Sequence, residues 1–111
     1  MTEENIRVYT DLNDIIKSKV IKIFNGFLKT NKAKKVISDI ADPNDPAVWC
    51  SFDCFVIDLL DRVVRIDFLV DFLGEVYYDK ISAPIELLLE DDETIESAVK
   101  QYWMKEDLKG N

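Results

Sequence analysis

The chain contains no histidine among its 111 residues, and only three glycines and two cysteines. Without histidine it lacks the side chain most often used as general base and as metal ligand. The glycines, Gly26, Gly74 and Gly110, are widely separated, so there is no glycine-rich loop to cradle a phosphate. Cys50 and Cys54 lie four apart with no further thiol to complete a zinc site. They read as two buried thiols of a reducing compartment. No apolar run approaches the roughly 20 residues that cross a bilayer. The opening "MTEENIRVYT" lacks the basic-then-apolar order of a secretory signal, so the expected location is the cytoplasm. The carboxylates of "DPNDP" and "EDDE" have neither the spacing nor the central glycine of a calcium loop. They read as loop and helix-start acids. Catalysis needs a nucleophile with its base, a metal, or perturbed carboxylates. The expectation is a protein with no catalytic residues, no cofactor and no metal.

Positive charge is scarce too. Fourteen Lys and Arg face 22 Asp and Glu, a net charge of −8. Nucleic acids and anionic membranes select a basic footprint, so neither is expected as a ligand. A basic protein partner fits by complementarity and faster encounter.

The 48% of hydrophobic residues is enough for a core in one domain spanning 1–111, with residues 1–5 and 109–111 expected to fray. No repeat, linker or low-complexity tract interrupts the chain. Leu12, Ile15, Ile16, Val20, Ile23, Phe24, Phe27 and Leu28 recur with the period of one helix face. Asn25-Gly26 inside this run is a hairpin cue, but the flanks do not alternate. The spacing predicts a helix that ends or loosens near Gly26. Ala33, Val36, Ile37, Ile40 and Ala41 extend the helical pattern up to "DPNDP", where proline stops it. Asp45-Pro46 has the form of a new helix start. Ser82 and Pro84 suggest another. "DDETIESAVKQYWMKEDL" is the clearest helix, with acids at its N-terminus and a stripe of Ile95, Ala98, Val99, Tyr102 and Trp103.

Residues 48–80 admit two readings. Val48, Phe52, Phe55, Val56, Leu59, Leu60 and Val63 fit a helix, and residues 62–78 can continue it. That second helix stacks Asp67, Asp71 and Glu75 four apart, a row of like charges costing a few tenths of a kcal/mol per pair. Against this, Val64, Ile66, Phe68, Val70 and Phe72 alternate as in a strand, within a stretch rich in aromatic and β-branched residues. Short apolar runs of this kind are not resolved by period alone.

The segment "FVIDLLDRVVRIDFLVDFLGEVYY" resembles the prosthetic-group region of acyl, peptidyl and D-alanyl carrier proteins. Phe55 stands where that family has its aromatic, Leu59-Leu60-Asp61 resembles the turn before its serine, and Ile66-Asp67-Phe68-Leu69 resembles the helix after it. "TIESAVKQYW" is similar to the family's last helix. The resemblance covers roughly the last half of the chain and implies a mainly α, carrier-like helical bundle with an extra N-terminal helical segment. Arg62 occupies the serine position, and a guanidinium offers no hydroxyl for phosphopantetheine. Leu59 replaces the family's glycine. In a second register, Cys50 to Asp53 resembles the serine motif, with Ser51 as the attachment point.

Three functions follow. The first is a non-enzymatic acidic module of carrier-like fold that binds a basic protein. Its contact residues are Asp67, Asp71 and Glu75, with Asp61, Arg62 and Trp49 beside them. The second is a small immunity, antitoxin or inhibitor protein that neutralises a basic toxin such as a nuclease. That reading goes with an α+β fold having an antiparallel hairpin or sheet at 48–80 flanked by helices. The third is a true carrier using Ser51. The aromatics Trp49, Tyr77, Tyr78, Tyr102 and Trp103 are assigned to the core or its edge, with Trp49 the candidate surface anchor after its proline-rich turn.

Overall fold

A computed structural model describes the backbone of residues 3–109 and the side chains of residues 13–105. The order is α1 (Glu3–Leu28), α2 (Asn31–Ser38), β1 (Val48–Asp58), β2 (Val63–Phe72), β3 (Glu75–Pro84), a short 3-10 helix (Ile85–Leu89) and α3 (Ile95–Lys109). The strands form one antiparallel meander with β2 in the centre, which leaves β1 and β3 as edges. The architecture is therefore α+β, with helices on one face of a three-stranded sheet, and the expected mainly α bundle is corrected.

The helical expectations hold where the period was long. Val20, Ile23, Phe24 and Phe27 are buried on one side of α1, while Ile15 is exposed and Leu12 precedes the described side chains. The Asn25-Gly26 cue does not break the helix. Gly26 is instead a point of close approach between α1 and α3, since a Cβ there would stand 3.1 Å from Val99 Cβ and 3.4 Å from the Glu96 backbone. Thr30 accepts a hydrogen bond from Ala33 N and so caps α2. Ile95, Val99 and Trp103 are buried along α3, with Ala98 and Tyr102 packed at the margin.

Both helices proposed for 48–78 are strands. Asp45-Pro46 starts no helix: Asp45 Oδ1 accepts from Ala47 N, its carbonyl accepts from Val48 N, and this turn feeds β1. Ser82 lies in β3, and Pro84 precedes only the 3-10 turn. β-Branched and aromatic side chains favour the pleated surface, and the alternation in β2 gives the sheet a face to bury. Val64, Ile66, Phe68 and Val70 have no solvent exposure. Phe24 and Phe27 of α1 lie on Phe68 with ring centroids 5.4 and 6.0 Å away, and Trp103 meets Phe27 at 5.1 Å. β1 contributes Val48, Cys50, Phe52, Phe55 and Ile57 to the same side, and β3 contributes Ile81 and Ala83.

Two turns fix the register. Leu73 and Gly74 form a two-residue hairpin loop with φ of 56° and 87°, which pairs Phe72 with Glu75. Positive φ at both central residues matches the twist of the flanking strands. In the β1–β2 turn, Asp58 Oδ1 accepts from Leu60 N and Asp61 N, both at 3.0 Å, and Arg62 closes the loop at φ 57°. Thus Arg62, which stood at the serine position of the carrier motif, is the left-handed residue of a hairpin.

Leu73 is three-quarters exposed and makes no core contact that would offset its backbone strain. A bulky residue at positive φ costs roughly 1–2 kcal/mol, which asparagine largely avoids. Leu73→Asn is therefore expected to raise the urea midpoint at unchanged m-value, a gain of about 1 kcal/mol in stability. A lowered midpoint would show that the turn is not strained.

Candidate functional site

Because the helices cover one face of the sheet, the other face of every strand has no protein against it among the described residues. Alternation and register place its side chains in rows. Trp49, Asp71 and Val76 form the first row, and Ser51, Leu69 and Tyr78 the second. Cys54, Asp67 and Lys80 form the third, and Val56, Arg65 and Ser82 the fourth. Trp49 is 69% exposed and Tyr78 is 75% exposed, which is high for rings of that size.

The register of β1 on β2 shifts between Phe52 and Cys54, leaving Asp53 as the extra residue of a bulge. A bulge sets two side chains against one on the neighbouring strand. Here Asp53 and Cys54 are both exposed opposite Asp67. Asp53, Asp67, Tyr78, Asp79 and Lys80 line a shallow cleft of about 270 Å³. At the far end of the face, Arg65 is held by Asp58 at 2.9 Å and by Asp61 at 3.0 Å. Its charge is thereby satisfied within the chain. Across β1–β3 the acids Asp53, Asp58, Asp61, Asp67, Asp71, Glu75 and Asp79 outnumber the bases Arg62, Arg65 and Lys80.

The expected contact residues are partly brought together. Trp49, Asp67 and Asp71 share the open face. Asp61 and Arg62 lie in the β1–β2 turn at its end. Glu75 begins β3 with the same side-chain parity as Ile81 and Ala83, so it belongs to the helix-facing side and accepts a 2.7 Å hydrogen bond from Tyr77 Oη. The continuous row Asp67, Asp71, Glu75 therefore does not exist. Ser51 is exposed in the middle of β1 rather than at the start of a helix. Tyr78, assigned to the core or its edge, stands on the open face. Leu69, Val76, Asp53 and Lys80 were missed, although the alternation of β2 implies Leu69 once the strand is accepted.

The cysteines also depart from expectation. Cys50 is half-buried on the helix side, and Cys54 is exposed on the open face. Cys54 Sγ donates to Asp67 Oδ2 at 3.3 Å, and the Asp67 and Asp53 charges stand against a thiolate, so its pKa is raised. Burial raises that of Cys50. Neither thiol is activated as a nucleophile. No group of three metal-ligating side chains occurs among the described residues, and no described helix is long and apolar enough to cross a membrane.

Comparison with protein-family models, with curated proteins and with solved structures returns no match for this chain.

Two outcomes follow from these electrostatics. Cys54, though exposed, should alkylate slowly with iodoacetamide at pH 7, and Asp67→Asn should accelerate it. An unchanged rate would show that Asp67 does not hold the thiol proton. Asp58 has its pKa lowered, first by the hydrogen bond from the Asp61 backbone and then by the Arg65 charge. A depressed carboxylate stabilises the fold above its ordinary titration range and loses that contribution as pH falls through its folded value. Asp58→Ala should therefore lower the melting temperature at pH 7 by more than at pH 3. A gap that stays constant with pH would mean that the carboxylate charge contributes nothing.

Proposed function

We propose that this chain is a small, non-enzymatic acidic inhibitor of the immunity or antitoxin kind, which neutralises a basic protein by docking the open face of its sheet on it. The observation that carries the reading is an uncovered sheet face on which Trp49, Leu69 and Tyr78 stand among Asp53, Asp67 and Asp71. Aromatic anchors surrounded by polar groups are the usual anatomy of a protein interface. Arginine and lysine are the partners such a surface suits, since a ring face attracts a cation and a neighbouring carboxylate accepts its hydrogen bonds.

Size is compatible with the same reading. Three strands about 4.8 Å apart, with some ten residues at about 3.3 Å each, make a face of roughly 14 by 33 Å. Its projection approaches 500 Å², against about 800 Å² of accessible surface per partner in a standard interface. The acidic excess steers a basic partner toward this face and lifts the association rate at low salt. The two unpaired thiols are in keeping with a reducing cytoplasm. No carrier-like bundle forms, because the segment that carried that resemblance makes the hairpins of the sheet.

The test is co-expression with the product of the adjoining reading frame, followed by co-purification and a growth assay. The wild-type chain should form a stoichiometric complex and restore growth. Trp49→Ala with Tyr78→Ala should weaken binding by at least about 30-fold, as loss of paired aromatic anchors does. Asp67→Lys with Asp71→Lys should slow association and abolish its salt dependence. A chain that purifies alone and protects nothing, or a charge-reversed variant that protects as well as wild type, would sink the proposal.

A further inference from the structure

The charge of −8 is unevenly placed. Between Asp14 and Asp39 there are seven lysines, Lys17, Lys19, Lys22, Lys29, Lys32, Lys34 and Lys35, and no acid. The fold divides them. Lys19 and Lys22 turn toward Asp92, the latter at 3.1 Å, and tie α1 to the approach of α3. A further group of lysines gathers elsewhere. Lys29, Thr30, Asn31, Lys100 and Met104 line a cleft of about 220 Å³ where the end of α1, the start of α2 and the middle of α3 meet. Lys32 and Lys34 project from the following turn of α2, and Lys105 lies beyond Met104, all of them exposed. Glu96, bound to Lys29 at 2.9 Å, is the acid that reaches into this corner among the described ion pairs.

We infer that this lysine corner is a second binding surface, separate from the open sheet face, and that it takes the phosphate backbone of a nucleic-acid duplex without reading its sequence. Net charge counts against nucleic acid only if charge is spread evenly, and here Lys29, Lys32, Lys34, Lys100 and Lys105 are drawn together at one corner. The chemistry of the corner decides between anionic partners. Interfaces with proteins are enriched in arginine and aromatics and depleted in lysine, whereas this surface is lysine with no arginine. Single strands are held by stacking bases on aromatic side chains, and none of the residues lining the cleft is aromatic. Lysines flanking a concave cleft suit phosphates that enter from a curved backbone. A flat membrane would reach only their rim. The inference does not depend on the inhibitor reading, because it uses none of the same residues.

The test is fluorescence anisotropy with a labelled 20-base-pair duplex of arbitrary sequence, titrated from 50 to 200 mM salt. About four lysines neutralising phosphates give a log–log slope near −3.6, hence roughly 10²-fold weaker binding over that range. Lys32→Gln with Lys34→Gln and Lys100→Gln should weaken binding at 50 mM salt by at least tenfold. Lys17→Gln with Arg62→Gln and Lys80→Gln removes the same charge from other surfaces and should leave binding within twofold. All substituted side chains are exposed, and circular dichroism confirms the fold of each variant. The inference is overturned by absence of binding at 50 mM salt, or by equal losses in the two variants. It is also overturned if the chain sediments with phosphatidylserine vesicles while ignoring the duplex. None of these results bears on neutralisation of a basic protein, so the two proposals fail separately.

Discussion

The contact of Phe24 and Phe27 on Phe68 is the constraint on which the rest of the molecule depends. A three-stranded meander has too little surface to stand alone, and a helix pair without a sheet has nowhere to put its apolar side. Seating two α1 rings on the central strand serves both. It fixes which face of β2 is buried, and through the register of two tight turns it fixes the faces of β1 and β3 as well. The Trp103 ring against Phe27 then brings α3 onto the same core. Close approach of α3 to α1 in turn requires the bare backbone of Gly26.

From that one-sided packing comes the polarity of the molecule. Covering a sheet on one face only leaves the alternate residues of all three strands on a common plane. That plane carries Trp49, Tyr78 and several carboxylates among smaller polar side chains such as Ser51 and Ser82. Apart from Lys80, the lysines lie outside the strands. A sheet face of rings and carboxylates and a lysine corner therefore coexist on a small chain. Net charge describes neither of them.

How much of this was legible depends on what each signal measured. The long amphipathic runs of α1 and α3 were readable because the helical period persisted over many turns. For the same reason Asn25-Gly26, a strong hairpin dipeptide, was rightly outvoted by its flanks. Residues 48–80 were not resolved, since the turn that ends β2 is Leu73-Gly74 and leucine is a poor marker of positive φ. Asp67 and Asp71 were grouped correctly for a reason indifferent to fold. A spacing of four is close to one helical turn and is also an even number, so the two share a side in either structure. Glu75 has the same spacing but lies beyond the turn, where the chain reverses and the parity changes. Trp49 was singled out from its place after a proline-rich turn, whereas Tyr78 needed the register, which no local pattern reveals. The carrier resemblance arose from apolar and acidic residues recurring at intervals that a hairpin reproduces as readily as a helix.

The bulge at Asp53 bears on how copies of the chain avoid one another. As an edge, β1 offers a row of unsatisfied backbone groups to any strand that drifts past. The extra residue breaks that row midway, and the carboxylate it carries stands beside the break. An incoming strand can match the ladder above or below the irregularity but not across it, and it meets negative charge at the point of mismatch. The bulge thus works against pairing along the β1 edge by geometry as well as by repulsion. The geometric part persists in acid or concentrated salt, when repulsion fades.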